Sequence, residues 1–146
     1  VGAPLRITVK YNDLTQERTL TRRKAEALIR NVKRTVRKVS LAAERRVKSE
    51  MPVDTGRARA SWGHWTPGDA DLGRYDNPAS PSDSYWKELE GGMAIEQGSN
   101  VEYVPALNDG HSAKAPAGFI DRAEEIANQE LDRKVEDALM DFSRDE

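Results

Sequence analysis

The chain has 146 residues, sets 23 Lys or Arg against 25 Asp or Glu for a net charge of -2, and contains no cysteine. Disulfide frameworks, thiolate nucleophiles and cysteine-based zinc sites are therefore excluded, and an intracellular origin is consistent with that composition. Charged residues make up 33% and hydrophobic ones 37%, with a mean hydropathy of -0.79. This is polar for one domain with a single modest core, and it points either to solvated helices or to an assembly whose neighbours supply the missing burial.

In chain order, the opening "VGAPLRITVKYND" lacks the apolar segment of a signal peptide, and no later apolar run reaches the roughly 18 residues of a membrane helix. A soluble protein without a membrane partner is expected. "LRITVKY" alternates, with Leu5, Ile7, Val9 and Tyr11 on one face and Arg6, Thr8 and Lys10 on the other, which predicts a half-buried strand. From Thr21 to Met51 the period changes. Ala25, Leu28, Ile29, Val32, Val36, Val39, Ala43, Val47 and Met51 form the apolar stripe of a long helix, which Thr21 caps and Pro52 stops.

"SWGHW", Ser61 to Trp65, reads as a second strand, and Pro67 to Ser84 as a long loop rich in Gly, Pro, Asp and Ser. A short element follows at Tyr85 to Leu89, then "MAIEQG" as a third strand, then a helical turn before Asn108. Phe119, Ala123, Ile126, Ala127, Leu131, Val135, Ala138, Leu139 and Phe142 mark the last helix. The pattern is a single α+β domain spanning 1–146, with a small, mostly antiparallel sheet and two long helices, first and last.

Charge is unevenly distributed. Arg22 to Lys48 holds eleven Lys or Arg against Glu26 and Glu44, a net of +9, and Asp121 to Glu146 holds ten Asp or Glu against four Lys or Arg, a net of -6. Such a split invites association of unlike faces, within a chain or between chains. Arg30, Arg34, Arg37, Lys38 and Arg45 are candidate interface or DNA-proximal residues. A DNA-binding module built on helix 22–48 stands as the alternative, since such a helix supplies phosphate contacts.

Asp54-Thr55-Gly56 has the letters of an aspartic-protease half-site, but that chemistry needs a carboxylate at the end of an apolar strand, sharing one proton with a second. Here the triplet follows a basic helix and precedes Arg57, whose cation favours ionisation. It reads as a corner instead: Asp54 or Thr55 caps a turn and Gly56 supplies a positive φ. His64 and His111 lie far apart with no ligand cluster around them, and the turn "NDGHS" cannot converge Asp109, His111 and Ser112 on one centre. No catalytic residue, metal ligand set or cofactor is expected. A small hydrolase using Asp54, His64 or His111 is the remaining enzymatic alternative.

Two segments carry a family resemblance. "PVDTGRARASW" is followed some forty residues later by "GSNVEYVPALNDGHSAKAPAGFIDRA". Together these resemble the bacteriophage neck and tail-completion proteins, the head–tail connector group related to the minor tail protein Z of lambda. The matching positions are Pro52, Val53, Asp54, Thr55, Gly56, Arg57, Ser61 and Trp62, then Tyr103, Leu107, Gly110, Pro116 and Phe119. The segment from Pro67 to Ser84 is longer than the family's usual hairpin region, and Asn108 stands where many relatives have Glu.

The resemblance implies a structural virion protein rather than an enzyme. It would form a homo-oligomeric ring at the head–tail neck, assembled in the host cytoplasm, with six copies favoured and twelve the alternative. Its neighbours would be the connector and the tail terminator or tube proteins, with DNA passing non-specifically through the lumen. Leu72 and Tyr75, apolar residues in the long loop, are candidate contacts to a neighbouring subunit.

Overall fold

The computed structural model describes residues 4–11, 22–51, 56–66, 80–110 and 116–144, the last three by backbone alone. In chain order the elements are β1 (Leu5–Lys10), α1 (Arg22–Glu50), α2 (Arg57–Ser61), β2 (Ser84–Leu89), β3 (Ala94–Ser99), α3 (Val104–Asn108) and α4 (Phe119–Arg144). Short 3-10 turns at Pro81–Asp83 and Glu90–Gly92 flank β2. The α+β class, the antiparallel sheet and the two long terminal helices agree with the sequence pattern.

The sheet runs β1-β3-β2, antiparallel throughout, with β3 central. Alternation places Ile7, Val9, Ile95, Gln97 and Ser99 on the face that packs under α1, all of them buried. On the other face the Arg6 guanidinium lies 3.8 Å from the centre of the Tyr85 ring. It crosses Gly98, where a Cβ would come within 2.3 Å of the Leu5 carbonyl, so this strand position admits only glycine.

α1 contains neither Gly nor Pro, and its Leu28, Val32, Val36, Val39, Ala43 and Val47 are all buried. It ends at Glu50, two residues before Pro52, whose ring cannot continue a helix. α4 brings Phe119, Ile120, Ala123, Ala127, Leu131, Val135 and Leu139 to the same core. It also covers the free edge of β1. The Thr8 amide donates to Glu124 Oε2 at 2.8 Å, the Lys10 amide donates to Asn128 Oδ1 at 3.1 Å, and Asn128 Nδ2 donates to the Thr8 carbonyl at 3.0 Å. One sheet edge is thereby closed by side chains rather than by a strand.

Three expectations are corrected. "SWGHW" is not a strand: Ser61 ends α2 and Trp62 to His64 bend, because Gly63 takes φ 64 and donates to the Gly98 carbonyl at 2.9 Å, so the chain crosses β3 instead of running alongside it. The second strand is the short element at Ser84–Leu89, so Ser84 belongs to β2 and not to a loop. Ile29 and Ile126, placed in the apolar stripes, are 40% and 41% exposed. Ile29 neighbours Leu28, and adjacent helical residues diverge by about 100°, so the two cannot both face the core. Ile126 sits at the rim of a shallow groove of about 390 Å³ between α1 and α4.

Candidate functional site

The described residues of the first resembling segment, Gly56 to Trp62, lie against the sheet. Gly56 has φ 70 and ψ -17 and leads directly into α2, so the left-handed conformation expected of the corner is present. Arg57 then reaches Asp83 with two parallel hydrogen bonds, Nε to Oδ2 and Nη2 to Oδ1, each 3.2 Å, and its Nη1 lies 3.9 Å from Glu102. Both members of the Arg57–Asp83 pair are largely buried. The hydrogen bond to Asp83 raises the guanidinium pKa further. Burial alone would raise the Asp83 carboxyl, but the hydrogen bonds from Arg57 and the Ser80 amide outweigh it and hold that carboxyl below its ordinary value.

Beyond Arg57 the corner is pinned to β3. Ser61 Oγ donates to the Ala58 carbonyl at 2.7 Å and lies 2.7 Å from Ser99 Oγ, which accepts from the Val101 amide at 3.1 Å. Trp62 is wholly buried and its Nε1 donates to Gln97 Oε1 at 2.7 Å; Gln97 Nε2 in turn donates to the Ser40 carbonyl of α1 at 2.8 Å. Arg59 Nη2 donates to the Met51 carbonyl at 3.0 Å, binding the end of α1 to α2. Pro52, Val53, Asp54 and Thr55 lie outside the described residues, as do Leu72, Tyr75 and His111.

The second half of the resemblance encloses the start of α4. Tyr103 precedes α3, Gly110 donates its amide to the Leu107 carbonyl at 3.2 Å, and the Pro116 carbonyl accepts from the amide of the fully buried Phe119 at 3.3 Å. Asn108 joins the two helices. Its carbonyl accepts from Gly118, its Oδ1 accepts from the Ile120 amide at 2.9 Å, and its Nδ2 donates to Asp121 at 2.8 Å. The Asn108 side chain thus caps α4 by holding an amide twelve residues further along the chain, where a local N-cap is the usual device.

His64 is half-exposed beside the corner. Its Nδ1 lies 2.7 Å from Glu44 Oε2, its ring centre is 4.2 Å from that of Trp86, and its carbonyl accepts from Lys48 Nζ at 2.7 Å. Burial lowers the Lys48 pKa, with Glu44 acting in the opposite direction. A carboxylate–imidazole pair is the basic half of a hydrolytic site, but among the described residues no hydroxyl bonds to His64 Nε2, and Ser61 is committed to Ser99 and Ala58. Among the described residues no group of three His, Asp or Glu side chains is placed to hold a metal ion, and no helix is long and apolar enough to cross a membrane.

The candidate basic residues Arg30, Arg34, Arg37, Lys38 and Arg45 are all exposed on α1, and Arg37 pairs with Glu88 of β2 at 3.3 Å. Asp83, Gln97 and Ser99, which hold the corner, carried no signal in the sequence, and Asn108 stood out only as a departure from the family's Glu, since each acts through a partner distant in the chain. No protein-family model matches the chain, and neither does any curated protein or solved structure.

Proposed function

We propose that this chain is a structural virion protein of the head–tail neck, forming a ring that joins the connector to the tail and lets DNA pass. The observation that carries the reading is the role of the resembling residues. Gly56, Arg57, Ser61 and Trp62 act as a brace between α1 and β3, and Tyr103, Gly110, Pro116 and Phe119 surround the start of α4. These residues rigidify a scaffold, and the outward faces are left to make contacts. A rigid module with unlike charged faces is suited to head-to-tail association, which closes into a ring when the rotation permits.

A phage whose copy of this chain is interrupted tests the reading. Filled heads and finished tails that fail to join are expected, and intact infectious particles would contradict it. The exposed basic row on α1 favours duplex binding as a second reading, in which Arg30, Arg34, Lys38 and Arg45 contact phosphates.

A further inference from the structure

Two rows of charge on the long helices share one spacing. On α1, Arg30, Arg34 and Arg45 are separated by four and eleven residues, with Lys38 between them. On α4, Asp121, Glu125 and Glu136 are likewise separated by four and eleven, and Glu136, Asp132 and Asp121 repeat those steps in the reverse direction. At about 3.6 residues per turn each set lies on one helix face, turned away from the buried stripe of its own helix. All eight side chains are exposed.

Other charges of the two helices do pair within the chain, among them Arg22 with Glu26, Arg37 with Glu88, Arg133 with Glu130 and Asp137, and Lys134 with Glu130. None of the eight has an ion pair within 4 Å among the described residues. Each row instead sets like charges four residues apart: Arg30 with Arg34, Arg34 with Lys38, Asp121 with Glu125, and Asp132 with Glu136. Such pairs destabilise an isolated helix, and a facing row of opposite sign reverses the penalty. Met140, an exposed apolar side chain, lies on α4 near the acidic row, and Leu41 lies within the basic one.

We propose that the Arg30–Arg34–Lys38–Arg45 face of α1 docks the Asp121–Glu125–Asp132–Glu136 face of α4 in a second copy of this chain. The proposal rests on the ring reading above and names its subunit contact. The shared spacing aligns three ion pairs at once. Antiparallel helices set Arg30, Arg34 and Arg45 against Glu136, Asp132 and Asp121, and parallel ones set them against Asp121, Glu125 and Glu136. The contact joins different surfaces of each copy, so it propagates head to tail. Duplex DNA would engage only the basic row and leave the matching acidic one without a role.

Charge reversal in the full-length chain tests this, with thermal melts to confirm folding. Arg30→Glu with Arg34→Glu reverses two charges of the basic row; Asp132→Lys with Glu136→Lys reverses their partners in the antiparallel pairing, and Asp121→Lys with Glu125→Lys those in the parallel one. Each alone is expected to lower incorporation into particles by roughly tenfold or more, and an equal mixture of the first chain with the one that carries its reversed partners to restore it by alternation. Because the chain has no cysteine, Arg34→Cys combined with either Asp132→Cys or Glu125→Cys should give an oxidation ladder of covalent multimers in one of the two combinations. A ladder with glutaraldehyde but none through those cysteines, with reversal having no effect, overturns this contact and leaves the ring standing. No ladder with either reagent in intact particles overturns both. Unchanged incorporation with lost low-salt duplex binding in the Arg30→Glu, Arg34→Glu chain overturns the contact and assigns the basic row to nucleic acid.

Discussion

Trp62 Nε1 donates to Gln97 Oε1 at 2.7 Å, and both side chains are fully buried. The bond ties the corner after α1 to the central strand, and through Gln97 Nε2 it also reaches the Ser40 carbonyl of α1. Trp62→Phe keeps a ring in place but strands a buried amide oxygen, so it should cost about 1–3 kcal/mol in urea unfolding. Adding Gln97→Leu removes the stranded acceptor and should return part of that loss. A double mutant destabilised by the full sum of the two singles would mean that the bond contributes little.

Gly56, at φ 70, is the hinge of the same corner. Gly56→Val forces a β-branched residue into the left-handed region and should cost about 1–2 kcal/mol or more. An unchanged melting temperature would show that the corner does not require this conformation.

The Arg57–Asp83 pair predicts a pH dependence. Asp83 has a folded-state pKa held below its ordinary value, so its stabilisation is complete above the ordinary carboxylate range and is lost as pH falls through the folded value. Asp83→Asn should cost about 1–3 kcal/mol at neutral pH and flatten the acid limb of stability against pH. An acid limb of the same slope in the variant would place that stabilisation on other carboxylates.

Ser40 Oγ is buried in α1 with no hydrogen-bond partner among the described residues. Ser40→Ala removes an unsatisfied hydroxyl and improves helix propensity, so a gain of up to about 1 kcal/mol is expected in chemical denaturation. A loss of stability would mean that the hydroxyl has a partner in solution.

The long helices were legible because a regular period repeated over many turns averages out local ambiguity: the stripe from Thr21 to Met51 became α1 at Arg22–Glu50. "SWGHW" misled because five residues of alternating size fit a strand and a corner equally, and only Gly63's bond to Gly98 decides between them. The brace was only half legible. Arg57, Ser61 and Trp62 belong to a compact motif, whereas Asp83, Ser99 and Gln97 stand twenty-six, thirty-eight and thirty-five residues away from them. The Asn108 cap was hidden for the same reason, since it serves a helix that starts beyond an intervening turn.

The central claim is a closed ring at the neck, and the copy number and rotational symmetry of this chain in the intact particle test it most directly. The segments Arg22 to Lys48, at +9, and Asp121 to Glu146, at -6, supply the unlike charges that head-to-tail closure needs, and the family resemblance supplies the number. Electron-microscopic reconstruction of the head–tail junction without imposed symmetry should reveal a sixfold ring of this chain, or a twelvefold one. A single copy at that position, or a ring of symmetry unrelated to six, would contradict the account.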